Sequence, residues 1–170
     1  MRSLLLFLAT VLNACTGIPE GVVPVRDFEL NRDLGEWYEI ARLDHSFERG
    51  MQKVSAEYTL RDEGGVRVGN RGFTASKNEW KEIEGKAYFV GNEGGGHLKA
   101  SFFGPFYSSY IVFELDKENY EYAFVSGNST SCLWLLSRTP AVSEDVLPRF
   151  KVRVGELGFD TDKLILVDLD

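Results

Sequence analysis

The side chains that could do chemistry are few. The 170 residues include two cysteines, Cys15 and Cys132, and two histidines, His45 and His97. Both histidines lie in turn-rich stretches, so neither a Ser-His-Asp triad nor a multi-histidine metal site is well supplied. There is no Gly-x-Ser-x-Gly elbow, no glycine-rich phosphate loop followed by Lys-Ser/Thr, and no His-Glu-x-x-His. Asp44, His45 and Glu48 are close in sequence, but three mixed ligands in one loop read as a polar loop, and no metal is assigned. The pairs Asp62-Glu63 and Glu144-Asp145 suit a turn and a helix start. Cys132 precedes Leu133-Trp134-Leu135-Leu136, which reads as a buried small hydrophobe; a reactive thiol would want an electropositive, accessible setting. The residues therefore call for no cofactor and no enzyme activity, with a thiol enzyme using Cys132 as the rival.

Cys15 invites a different chemistry. One positive charge, Arg2, precedes the short apolar run Leu4 to Leu12. A spanning helix takes about 20 apolar residues, so this is a secretory signal. Leu12-Asn13-Ala14-Cys15 resembles a bacterial lipobox, in which the cysteine carries diacylglycerol and the signal is cut before it. Asn13 departs from the small residue usual there, and a plain signal peptide is the alternative. Thr16 follows, and the lack of Asp there argues against inner-membrane retention. The expected divisions are a signal peptide over 1–14, a lipidated N-terminus and extended tether over 15–25 with Pro19, Gly21 and Pro24, and a domain over 26–170. With Cys15 lipidated, Cys132 has no partner, and the fold must stand without a disulfide.

Composition sets the class. The chain is 44% hydrophobic and 13% aromatic, enough for a core and one domain. Its net charge of −7 leaves no basic face for nucleic acid. An anionic membrane would not attract such a surface, so the anchor must be the lipid alone.

Stepping along the chain, short apolar or alternating runs are divided by turns. Val54 to Leu60 alternates at period two, and Asp62-Glu63-Gly64-Gly65 is a hairpin turn. The same logic predicts strands over 37–43, 54–60, 66–72, 80–90, 98–103, 107–116, 120–126 and 132–138. Eight regular short strands with glycine-rich turns mean a sandwich or a barrel. Ser143-Glu144-Asp145 then starts a helix, with Ser143 as N-cap and a stripe of Val146, Leu147, Phe150 and Val154. Pro148 should kink or shorten it, and Gly155 and Gly158 end it. A last strand is predicted over 163–167.

Several motifs together resemble the lipocalin family. They are Gly35-Glu36-Trp37-Tyr38-Glu39-Ile40-Ala41-Arg42, Asp44-His45-Ser46-Phe47-Glu48-Arg49-Gly50, Glu84-Gly85-Lys86-Ala87-Tyr88-Phe89, Ser101-Phe102-Phe103-Gly104-Pro105-Phe106-Tyr107 and Leu133-Trp134-Leu135-Leu136-Ser137-Arg138-Thr139-Pro140. They cover essentially the whole mature chain. The resemblance is strongest to the bacterial outer-membrane lipoprotein branch, with apolipoprotein D and plant temperature-induced lipocalins as relatives. The family's middle Thr-Asp-Tyr motif is degraded here to Leu115-Asp116-Lys117. The resemblance implies an all-β fold: an eight-stranded up-and-down antiparallel barrel with one C-terminal helix and a short final strand. It implies that Gly35, Trp37 and Arg138 are structural, with the guanidinium lying across the indole at one end. It also implies an outer-membrane location facing the periplasm, lipid binding, and room for a homodimer.

Registering the strands on these motifs predicts which residues point inward. They are Trp37, Glu39 and Ala41; Val54, Ala56, Tyr58 and Leu60; Ile83, Gly85, Ala87 and Phe89; Leu98, Ala100 and Phe102; Tyr110 and Val112; Ala123 and Val125; Cys132 and Trp134. Small residues on several strands leave volume unfilled; the resemblance implies that it is a cavity for one chain, with Ala41, Ala56, Tyr58, Ala87, Phe89, Phe102, Tyr110, Val112 and Trp134 as the expected ligand wall. The resemblance implies a fatty acid or lysophospholipid, held for envelope maintenance or stress response. Glu39 is expected near the floor with Arg138. A barrel filled by its own side chains, serving as an interaction module, is the remaining alternative.

Overall fold

The computed structural model describes residues 16–170; Cys15 and the signal segment lie outside the described residues. A short helix α1 (Leu30–Asp33) precedes β1 (Gly35–Arg42). There follow β2 (Met51–Leu60), β3 (Val66–Thr74), β4 (Glu79–Phe89), β5 (His97–Phe103), β6 (Phe106–Leu115), β7 (Tyr122–Ser126) and β8 (Leu133–Ser137). Helix α2 (Val146–Glu156) and a two-residue strand β9 (Ile165–Leu166) complete the chain. Each strand pairs antiparallel with the next, and β1 closes the ring by pairing with both β2 and β8. The result is the expected eight-stranded barrel, with β9 added outside on β1. Closure removes the sheet edges that would otherwise template aggregation.

Two apolar clusters follow from strand alternation. One fills the inside of the barrel and includes Phe28, Trp37, Leu98, Val112, Val125 and Leu136. The other lies outside, where Val146, Phe150 and Val154 of α2 cover Ile111, Phe113, Phe124, Leu133 and Leu135. The predicted helical stripe is thus the face that seals the outer wall.

The helix differs in detail from expectation. It begins at Val146, so Pro148 falls within its first turn. Backbone N–H groups there have no intrahelical acceptor, and proline removes nothing. Ser143 is not the N-cap; that position is Asp145, whose side chain makes no capping bond. Gly158, at φ +83°, ends the helix, whereas Gly155 lies inside it. Tyr120 lies outside β7, at φ +57°.

The stretch expected as an extended tether is bound to the barrel. Val25 N–H donates to Val112 O at 2.9 Å, Gly96 N–H donates to Val25 O at 2.8 Å, and Val22 is buried in the outer cluster. Pro19 opens a turn, closed by Val22 N–H on Pro19 O at 3.1 Å with Gly21 at φ +78°, which sets Val22 into the outer cluster while Val25 packs against the inner one.

Candidate functional site

The barrel has one sealed end and one open end. At the sealed end, Gly35 takes φ +97°, which a side chain would strain, and this lets β1 begin directly beneath Arg138. The Arg138 guanidinium lies 3.9 Å from the centre of the Trp37 ring, as the family resemblance implies. Arg138 also donates to the carbonyls of Leu34 at 2.9 Å and Glu36 at 3.0 Å. Trp37 Nε1 donates to Asp33 O at 2.8 Å, and Phe28 meets Phe89 edge-on at 6.1 Å. Helix α1 and these aromatics form the floor.

Above the floor lies a cavity of about 210 Å³. Its wall carries Val54, Ala56, Tyr58, Val66, Val68, Ala87, Leu98, Ala100, Phe102, Tyr110, Trp134 and Leu136. That volume is below the roughly 300–1,000 Å³ of clefts for drug-sized ligands, and it suits one slim chain. Ala87 and Ala100 sit directly opposite each other on β4 and β5, so two short side chains keep that wall thin. Gly85 does the same beside them: a Cβ there would come within 2.7 Å of the Phe102 ring. Polar groups inside include the Tyr58 and Tyr110 hydroxyls, 3.0 Å apart, the side chains of Ser55, Asn70, Ser108 and Ser109, and three carboxyl groups.

Asp33 lines the floor, and burial pushes its carboxyl up to about 7, against the pull of Arg138. Glu39 and Glu48 stand higher, with Arg42. Arg42 Nη1 donates to Glu39 Oε1 at 2.7 Å, and its Nη2 donates to the carbonyls of Glu48 and Met51, both at 3.0 Å. Trp134 Nε1 donates to Glu48 Oε2 at 3.2 Å. Burial first, then Glu48, pushes Glu39 up to about 8 despite its Arg42 partner. Burial likewise raises Glu48. His45 stacks between Phe47, at 5.4 Å, and Trp134, at 4.9 Å, and burial lowers its pKa. The loop 43–50 thereby leans over the mouth.

Most of the expected wall is where the strand alternation put it. Ala56, Tyr58, Ala87, Phe102, Tyr110 and Trp134 line the cavity. Three expected residues do not. Ala41 faces out into the cluster under α2, because a bulge between Glu39 and Ala41 inserts an extra residue into β1. That bulge also turns Arg42 inward, so Glu39 pairs with Arg42 in the upper barrel and not with Arg138 at the floor. Phe89 and Val112 point inward but belong to the packing below the cavity. Leu60, at the end of β2, is 57% exposed, and Ile83, in the middle of β4, is 38% exposed; neither lines the cavity.

Cys132 lines the cavity and is half-buried, not sealed away as its apolar neighbours suggested. His45 is buried in its stack, and His97 is half-buried with its Nε2 3.3 Å from Ser109 Oγ. Val66, Val68, Asp33 and Phe47 enter the wall without having been singled out, and Glu48, read only as part of a polar loop, joins them. The alternation of β3 could have found the two valines. Nothing in the sequence near Glu48 announces its contact with Trp134, 86 positions away.

Comparison with known proteins agrees with this geometry. Residues 28–168 match the family model described as a lipocalin-like domain. The chain is 61% identical over 168 residues to outer membrane lipoprotein Blc of Vibrio cholerae, covering 98% of each. It is 49% identical over 149 residues to outer membrane lipoprotein Blc of Escherichia coli K12, covering 88% of this chain and 84% of that one. Among solved structures, insecticyanin from the tobacco hornworm superposes with a TM-score of 0.71 at 22% identity, covering 91% of this chain and 87% of that one. These near relatives locate the protein at the outer membrane. Barrel, sealed floor, cavity and relatives converge: the chain belongs to the lipocalin family.

Proposed function

We propose that this protein sequesters or carries a single acyl chain, as fatty acid or lysophospholipid, inside the barrel while a lipid on Cys15 holds it at the outer membrane. Residues 1–14 are the signal removed before that lipid-bearing cysteine. The observation that carries the binding role is the apolar cavity between the mouth and the Trp37 floor. Each methylene moved from water into such a space contributes about 0.8 kcal/mol, so the driving force is burial. The ligand wall of this reading is Ala56, Tyr58, Ala87, Phe102, Tyr110 and Trp134. The groups at the mouth bear on the head group. Two of Arg42's nitrogens are already bonded inside the protein, and Glu48 stands nearby, so a zwitterionic head fits better than a bare carboxylate. The physiological service is envelope maintenance or the stress response.

The test is displacement of a fluorescent fatty-acid probe from the mature, detergent-free protein by fatty acid and by lysophospholipid. Saturable displacement at one site per chain supports the reading, and an unbound probe removes it. Cys132→Ser should leave this binding intact; a catalytic activity that vanished with it would favour a thiol enzyme instead.

A further inference from the structure

We infer that the barrel docks mouth-down on the same lipid surface that holds its anchor. Three aromatic side chains crowd the open end. Phe47 is 57% exposed, Phe103 69% and Phe106 71%. Phe47 comes from the loop 43–50, and Phe103 and Phe106 are the strand ends flanking the β5–β6 turn, all at the end where His45 and Glu48 form the mouth. Trp80, at the open end of β4, is 45% exposed, and the Arg71 guanidinium lies 4.0 Å above its ring. Single exposed apolar residues are ordinary on a soluble surface; several aromatics at one end mark a contact surface. Rings at the level of lipid head groups, with an arginine reaching out beside one, match an interfacial belt.

The start of the chain names the occupant. Ser109 Oγ donates to Gly17 O at 2.7 Å. Ser109 lies in the open half of β6, its carbonyl 3.8 Å from where a Cβ on Gly127 of the β7–β8 loop would stand. From Gly17 the segment runs toward the sealed end, where Val25 is tied to Gly96 and Val112. Cys15 is two residues before Gly17, at most about 7 Å of extended chain. A lipid on Cys15 therefore leaves the body beside the mouth. The inference rests on that lipidation.

Charge does not oppose the contact. The chain is net acidic, but the β5–β6 turn and the loop 127–132 carry no charged residue. Of the other two mouth connections, the loop 43–50 pairs Arg49 with Asp44 at 2.7 Å, and the one between β3 and β4 carries a cation, Lys77. An acyl chain could then pass between bilayer and cavity without crossing water.

The test uses the mature lipidated protein in phosphatidylethanolamine–phosphatidylglycerol vesicles, plain or brominated on the acyl chains. The emission of Trp80 is isolated as the difference between the wild type and Trp80→Phe. We expect bromination to quench that emission at least twofold. Phe103→Asp with Phe106→Asp should stay with the vesicles through its anchor yet lose most of this quenching. Acyl transfer from vesicles to its barrel should slow about tenfold, while affinity for dissolved ligand is unchanged. Unquenched Trp80 on protein that sediments with vesicles overturns the docking alone, as does quenching that survives the aspartate pair. Wild-type protein that does not sediment with vesicles overturns the anchor and the docking together.

Discussion

The two ends of the barrel are built from opposite materials. At the sealed end, backbone carbonyls of Leu34, Glu36 and Tyr120 converge on one guanidinium, and Trp37, Phe28 and Phe89 fill the space beneath. At the open end, a buried arginine is shared between Glu39 and the loop that carries Glu48, and Phe47, Phe103 and Phe106 face outward. One end is spent on stability and the other keeps surface uncovered. The lesson is that a closed ring of strands needs only one well-packed end, which leaves the second free for a ligand and a surface.

Substitutions should separate the ends. Trp37→Ala removes a side chain that is 1% exposed and leaves Arg138 over nothing. It should cost about 3–5 kcal/mol in urea unfolding, the largest of the effects expected here. If the loss is below 1 kcal/mol, the sealed end does not carry the stability. Ala87→Phe places a ring into the cavity, two residues from Phe89 of the floor packing. It should weaken acyl binding more than tenfold while changing stability by less than about 1.5 kcal/mol, measured by probe titration and unfolding together.

The floor carboxyl gives a pH signature. Asp33 holds its proton up to about 7 in the folded chain, against an ordinary 3.8. The native state therefore binds the extra proton, and its contribution to stability is full at low pH and is lost as pH rises from about 4 through 7. The slope is at most about 1.4 kcal/mol per pH unit. Unfolding of Asp33→Asn relative to the wild type, measured from pH 4 to pH 8, should show the variant gaining up to about pH 7 and levelling off above it. A flat difference would mean the carboxyl is solvated. The smallest effect is expected at the rim: Phe106→Ser should move stability by no more than about 0.5 kcal/mol, because that ring is largely in water.

The barrel was legible because period-two alternation and glycine-rich turns are local: Val54 to Leu60 alternates, and Asp62-Glu63-Gly64-Gly65 follows at once. The helix stripe over α2 was legible for the same reason. What escaped is non-local or breaks the period. The bulge at Glu39 and Ala41 reverses the facing of the rest of β1, and no residue type there signals it. The depth of each inward residue depends on strand tilt, so Phe89 and Val112 looked like ligand wall and are floor packing. Asp33 entered the cavity through a four-residue helix too short to show a periodic stripe. The N-terminal segment read as a tether because its prolines are visible, whereas its bonds to Val112 and Gly96 are not.

The central claim is that the space above Trp37 is an open site for one acyl chain. Native mass spectrometry of the mature protein, purified without detergent and offered lysophospholipid, tests it most directly beside Ala87→Phe. The expected result is a one-to-one lipid adduct on the wild type and none on the variant. A wild type that takes up no lipid, or a variant that takes up as much, would contradict it.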